Sequence, residues 1–224
     1  MKLTAYGKKE IILSVAILDT AGMAFIAAGI LYYPPLAAGA IVPLLLLVWV
    51  LAFFRDPERA VPEDDRLLVS SADGVVTHIE EVHEPDFIDG RALRISVFMS
   101  IFSVHLTRAP FPGKVAYRNY HQGEFINAMH ADAGHLNEHS DTGFETGDKR
   151  LPKILVRQIA GLIARRIVTD VETGKEYARG ERIGMIKFGS RTDIFVPVDC
   201  RLRVRVTIGE PVNAGSTIIG ELPE

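Results

Sequence analysis

A single cysteine, Cys200, stands among 224 residues, so no disulfide can form within the chain and a reducing compartment fits. Cys200 sits in a β-like run beside Arg201 and reads as a small packing residue rather than a reactive thiol. Basic excess is missing as well. Lys and Arg number 25 against 28 Asp and Glu, and no basic stripe with interleaved aromatics offers a nucleic-acid surface. Repeats and low-complexity tracts are absent. So is the Gly-x-Ser-x-Gly elbow of many hydrolases, since the window around Ser190 reads Phe188-Gly189-Ser190-Arg191-Thr192. His130, His135 and His139, with Glu138, match neither the helical HExxH pattern nor a zinc-finger pair. They are read as a polar loop without metal, with Asn137-Glu138 as a polar pair able to support a site from behind.

Charge is almost missing from two long stretches. Residues 11–33 carry only Asp19, and residues 36–54 carry no charge. As helices each reaches about 30 Å, enough to cross a hydrocarbon core. Pro34-Pro35 between them must break the helix and turn the chain. Two long runs without a small-residue cleavage site after them fit a hairpin better than a removed leader. Lys2, Lys8 and Lys9 precede the hairpin and Arg55 and Arg59 follow it, which places both ends in the cytoplasm. Residues 1–56 are therefore expected to anchor the chain in the cell membrane. The competing reading is a buried helical hairpin of a soluble domain.

From Arg55 the composition changes to a charged, proline-punctuated linker. Residues 57–224 then read as short strands between glycine and proline signals: 67–71, 75–82, 93–99, 114–120, 154–158, 183–188, 193–196 and 202–208. The last alternates Leu202, Val204, Val206 and Ile208 against Arg203, Arg205 and Thr207. Residues 159–167, which contain Arg165-Arg166, read equally as strand or short helix. The expected class is a mainly β (α+β) soluble domain with an N-terminal hydrophobic helical hairpin.

Three groups can carry chemistry. Ser71-Ala72-Asp73-Gly74 joins two strands, and Asp-Gly favours a turn there on its own account. Ser103-Val104-His105-Leu106-Thr107-Arg108 follows an apolar strand, and Arg108 could bind a carboxylate or phosphate. In Gly189-Ser190 the serine hydroxyl can attack the preceding carbonyl, which glycine leaves approachable. Asp73, His105 and Ser190 thus supply an acid, a base and a nucleophile. Triads occur in different chain orders on unrelated folds, so a membrane-anchored serine hydrolase or peptidase stays open.

Taken in order, several segments resemble the phosphatidylserine decarboxylases of the short bacterial and archaeal proenzyme type. They are Phe53-Phe54-Arg55-Asp56-Pro57-Glu58-Arg59, Ala72-Asp73-Gly74, Val104-His105 through Arg108-Ala109-Pro110, Asn137-Glu138, Gln158-Ile159-Ala160-Gly161 with Arg165-Arg166, and Phe188-Gly189-Ser190-Arg191. The resemblance runs from about residue 10 to the end. It implies a barrel-sandwich or hammerhead-like β domain that cuts itself between Gly189 and Ser190. A β chain (1–189) and an α chain (190–224) would remain together as a heterodimer. The cofactor implied is a pyruvoyl group made from Ser190, whose ketone takes the substrate amine as a Schiff base and accepts the electrons left by CO₂. Asp73 and His105 would activate the serine, His105 would protonate the substrate carbon, and Arg108 would meet the substrate carboxylate or phosphodiester. The substrate implied is a phospholipid in the bilayer, phosphatidylserine or its ether analogue archaetidylserine, yielding phosphatidylethanolamine or its counterpart.

The resemblance has a gap. Long bacterial members carry a second histidine where Arg108 stands. A third reading comes from residues 209–220, which look like part of a biotinyl or lipoyl carrier domain with Lys187 as the acceptor. Unpaired edges in so β-rich a domain leave a homodimer open.

Overall fold

The computed structural model describes residues 2–130, 132–162, 166–187 and 189–224. It divides into two compact units, Met1–Pro57 and Glu58–Glu224. Arg165 and Phe188, both named above, lie outside the described residues.

The first unit is the hairpin. Helix α1 (Lys8–Leu31) ends three residues before Pro34. Tyr33 is extended at φ −157°, the conformation a following proline enforces. A 3₁₀ stretch, Pro34–Ala40, makes the turn, and α2 (Ile41–Phe53) returns. Pro43 lies in the first turn of α2, where its missing N–H costs no helical bond. The ends of the unit are tied by Thr4 N–H to Phe54 O at 2.9 Å and Asp56 N–H to Lys2 O at 2.8 Å. Both helical stretches are long and apolar enough to span a membrane, with 0% of the first and 11% of the second buried. A buried hairpin of a soluble protein would show the reverse.

The second unit carries fourteen strands among the described residues: β1 (Leu67–Val69), β2 (Gly74–Glu84), β3 (Gly90–Met99), β4 (Leu106–Arg108), β5 (Gly113–His121), β6 (His139–Glu145), β7 (Lys153–Ala160), β8 (Arg166–Thr169), β9 (Glu176–Tyr177), β10 (Arg182–Lys187), β11 (Ser190–Pro197), β12 (Arg203–Val204), β13 (Pro211–Val212) and β14 (Ile218–Glu221). A curled antiparallel sheet runs β13-β2-β3-β11-β7-β6-β5-β9, flanked by β1-β14-β12 and β4-β10-β8. The mainly β reading with its helical hairpin holds.

One sheet face is the apolar core, with Val76, Ile95, Val97, Met99, Phe144, Val156 and Ile194 buried against residues from both smaller sheets. The opposite face is charged and still buried. Arg157 forks onto Asp141 at 2.7 and 2.8 Å, and Arg191 Nη2 donates to Asp193 at 3.0 Å. Burial works against the Arg157 charge, but the Asp141 carboxylate more than offsets it and holds the guanidinium above its ordinary value. Three carbonyls from the connection before β6 cover this face: Gly134 O receives Arg157, while Ala128 O and His130 O receive Arg191.

Three local readings need correction. His139–Glu145 is an interior strand, buried through Phe144, and not a loop. Its polar side chains are paired across strands, so period-2 apolar alternation never appears in the sequence. Only Arg203–Val204 of the expected strand 202–208 forms, and Ile208 is 64% exposed. Cys200 closes a 3₁₀ turn and not a strand, but it is buried in the core, and burial pushes its thiol up, as a packing residue requires.

Candidate active site

Ser190 is the first residue of β11, and its backbone is paired on both sides, with Met99 of β3 and Ala160 of β7. The side chain is fully buried and its hydroxyl donates to Met99 Sδ at 3.8 Å. Gly189 stands just before it at φ +62°, a left-handed conformation that glycine adopts without strain. Its carbonyl lies against Gly161, where a Cβ would come within 2.2 Å of the oxygen. Glycine on both sides of this contact is what lets the turn form.

His105 precedes β4 and is completely buried. Its Nδ1 lies 3.0 Å from the Ser103 carbonyl, and Gly189 N–H donates to its Nε2 at 3.2 Å. A carbonyl can only accept, so Nδ1 carries the proton; Nε2 is receiving a bond, so it carries none. The ring is a neutral base with its basic nitrogen one residue from Ser190.

Asp73 ends the turn between β1 and β2. Its carboxylate accepts from Ala214 N–H at 2.8 Å and pairs with Arg59 at 2.5 Å. Val75 pairs with Phe98, and Met99 pairs with Ser190. Asp73 therefore lies at the Ser190 end of the sheet, two strands over, about 10 Å at ordinary strand spacing. Arg108 is buried in β4, its backbone N–H on Ser71 O at 2.9 Å and its Nη1 on Gly180 O at 2.9 Å.

The fold thus brings Asp73, His105, Gly189 and Ser190 to one end of the sheet. Sequence reading quoted Gly161 and Arg59 only within matching segments and gave neither a role; Gly161 touches the Gly189 carbonyl and Arg59 holds Asp73. Asn137 Nδ2 donates to Ala160 O at 2.7 Å and to Ile126 O at 2.9 Å, which ties Ile126 to the strand beside Ser190.

Other groupings fall away. Lys187 is 5% exposed on β10, whereas a carrier lysine must stand clear of its domain. A serine hydrolase would use the Ser190 hydroxyl in the uncut chain, where that side chain is fully buried. His139 comes together with His121 and Asp141 instead of with His130 and His135. The two rings stack at 4.4 Å with planes 18° apart, and Asp141 already holds Arg157. Lone pairs in near-parallel planes do not converge on one ion, so the trio is not a built metal centre. A surface hollow bordered by Gly113, Glu145 and Glu176 opens at the opposite end of the sheet from Ser190.

Fold and site together define a mainly β protein with an apolar, membrane-type hairpin and a buried Gly-Ser turn held beside a neutral histidine. The sequence model of phosphatidylserine decarboxylase matches residues 46–220. A phosphatidylserine decarboxylase proenzyme of Symbiobacterium thermophilum is 46% identical over 188 residues, 84% of this chain and 85% of that protein. Proenzymes of the same name from Desulfotalea psychrophila (44% over 179 residues, 80% and 82%) and Burkholderia mallei (46% over 180 residues, 80% and 81%) are similarly close. The chain belongs to the phosphatidylserine decarboxylase family.

Proposed function

We propose that this chain is a proenzyme that cuts itself at Gly189-Ser190 and then decarboxylates a phosphoserine lipid at the membrane. The observation that carries the reading is the Gly189 turn, with a positive φ, a buried Ser190 after it and the unprotonated Nε2 of His105 on its amide.

In the proposed cleavage, His105 takes the proton from the Ser190 hydroxyl as its oxygen attacks the Gly189 carbonyl carbon. His105 then gives that proton to the Ser190 nitrogen as the peptide C–N bond breaks, leaving a free amine and an ester to the Ser190 oxygen. Loss of the Ser190 α-proton then expels the Gly189 carboxylate, leaving dehydroalanine at position 190, and one water converts this to a pyruvoyl group with release of ammonia. Asp73, whose carboxyl group pairs with Arg59 and accepts from the Ala214 amide, supports the positive charge that develops on the site during proton transfer. A buried hydroxyl suits this chemistry, because water excluded from the ester cannot hydrolyse it.

The two products would stay together without a covalent link. β11 lies between β3 and β7, β13 pairs with β2, and β14 pairs with β1, so residues 190–224 are woven through strands of the larger fragment. This supports a heterodimer of fragments 1–189 and 190–224. The buried position of residue 190 fits a reactive carbonyl at the chain start, which would supply the electron sink for decarboxylation. His105 is then placed to return a proton to the substrate carbon. Arg108 is assigned the substrate carboxylate or phosphodiester on charge, and must share or give up its bond to Gly180 to reach it. Positive flanks on the hairpin put the catalytic unit on the cytoplasmic side. Phosphatidylserine and archaetidylserine share the headgroup that these residues would meet.

Intact-mass measurement tests the reading. The wild-type chain is expected to yield the fragment 190–224 with an N-terminus that resists Edman degradation, and Ser190→Ala to stay whole. A wild-type chain that remains uncut while folded in lipid overturns it. Release of CO₂ from each of the two lipids identifies the substrate.

A further inference from the structure

In the second unit, the exposed large apolar side chains are not scattered. Among the described residues of that unit they are Phe102, Leu162, Met129, Tyr120, Leu136 and Val75, with Ile208 beside them. All lie at the sheet end that carries Gly189 and Ser190. Leu162 follows Gly161, which touches the Gly189 carbonyl. Met129 follows Ala128, whose carbonyl binds Arg191. Leu136 precedes Asn137, which bonds the carbonyl of Ala160 opposite Ser190. Phe102 precedes Ser103, the partner of His105. Val75 pairs with Phe98 one position from Met99, Tyr120 pairs with Ser140 beside His139, and the Gly209 amide after Ile208 bonds Val76. The opposite end of the same sheet exposes Asp86, Asp89 and Lys149 between strands and Glu145 at the end of β6.

Singly exposed apolar residues mean nothing, but their confinement to one rim marks a surface that meets something apolar. The most exposed, Phe102 at 69% and Leu162 at 68%, project from turns and not from strand faces. Turns can enter an interface without exposing strand backbone to lipid.

We infer that this rim is the face by which the catalytic unit dips into the phospholipid leaflet, so that a lipid headgroup passes to residue 190 without leaving the bilayer. The inference rests on the decarboxylase reading for its occupant. The rim encircles the one bond that reading makes reactive, and the acyl chains of its substrate stay in the hydrocarbon. It assigns a membrane contact to turns of the β domain, separate from the hairpin. Each turn adds apolar area to the interface in the manner of an interfacial anchor.

The chain has one tryptophan, Trp49, which makes the test direct. In a Trp49→Phe background, Leu162→Trp and, as a control at the opposite sheet end, Lys149→Trp are placed in full-length protein in phosphatidylcholine–phosphatidylserine vesicles. Lipids brominated on the upper acyl chain are expected to quench the emission of the Leu162→Trp variant at least threefold more than that of the Lys149→Trp variant. The double variant Met129→Gln/Leu162→Gln is expected to lower the ratio of activity on vesicle lipid to activity on monomeric dihexanoyl-phosphatidylserine at least fivefold. Equal quenching at the two positions, or an unchanged ratio, overturns the inference. So does shielding of the indole at position 162 that arises only on self-association of the protein in detergent, which would make the rim a contact between copies. A chain that cleaves and decarboxylates but fails these tests refutes the rim alone. A chain that never cleaves refutes the underlying reading, whatever the quenching.

Discussion

Replacing Gly161 by alanine tests the site where its geometry is tightest. The new Cβ would lie 2.2 Å from the Gly189 carbonyl oxygen and 3.3 Å from Ala128 Cβ. Ordinary contact distances are about 3.5 Å, so the carbonyl must retreat by roughly 1 Å. Ser190 cannot follow, because β3 and β7 hold its backbone from both sides. The displacement therefore falls on the Gly189 turn and on its bond to His105. A misplacement of about 1 Å in a reacting group costs on the order of a hundredfold in rate, whereas overpacking costs about 1–3 kcal/mol of stability, which a domain of ordinary stability survives. The expected result is a folded protein that cleaves about a hundredfold more slowly. The measurement is a time course of full-length chain and C-terminal fragment after cell-free synthesis into lipid, with circular dichroism confirming the fold. Gly90→Ala is the control, since a Cβ there meets nothing within 4 Å. If Gly161→Ala cleaves within threefold of the Gly90→Ala control, the Gly189 carbonyl is not the reacting group and the site is wrongly built.

Further expectations follow from other contacts. Asp73→Ala should slow self-cleavage by about a hundredfold, and Arg59→Gln by less, since it loosens the carboxylate without removing it; normal processing in both strikes Asp73 from the mechanism. Asp141→Ala leaves the Arg157 charge buried without its fork of hydrogen bonds, and urea unfolding should show a loss of about 3–5 kcal/mol; a loss below about 1 kcal/mol means the pair is not what holds β6 to β7. Stability should also fall on acidification. Burial first, and the Arg157 charge with it, holds the His139 imidazole below its ordinary value. The unfolded chain then takes up protons more readily, so the contribution of neutral His139 is complete above about pH 6.5 and is lost as pH falls through the lower, folded value. Melting temperatures between pH 7 and pH 5 read this directly, and His139→Gln should flatten the slope.

Much of this was legible in the chain because the signals were local. The hairpin announced itself through a Pro-Pro break and two long apolar runs that share a single charge, Asp19, and the structure places the helix end and the 3₁₀ turn where proline sterics demand. Seven of the eight expected strands appear at close to their expected places, since apolar runs bounded by glycine and proline report their own burial. The eighth, 202–208, failed because alternation was present but a partner lies beside only its first half: Arg203 and Val204 pair with β14, and Arg205 N–H adds one bond to Ile219 O at 3.0 Å. The reverse error occurred at His139–Glu145. Its burial depends on Arg157, Thr169 and Gln158, all far away in sequence, so nothing within seven residues whose one large apolar side chain is Phe144 could reveal a core strand.

The sequence alone determined that the chain carries an apolar hairpin, that a β domain follows, and that Asp73, His105 and Ser190 are present in the order of a known family. Those are statements about residue type and spacing, which a linear pattern can hold. Only the tertiary structure decided that His105 turns its unprotonated nitrogen to Gly189, that Gly161 and Arg59 belong to the site, and that the exposed apolar side chains gather at one rim. Each depends on pairing strands far apart in the chain. Ser190 meets Met99 and Ala160 across the sheet, and no local preference encodes which strands will lie together.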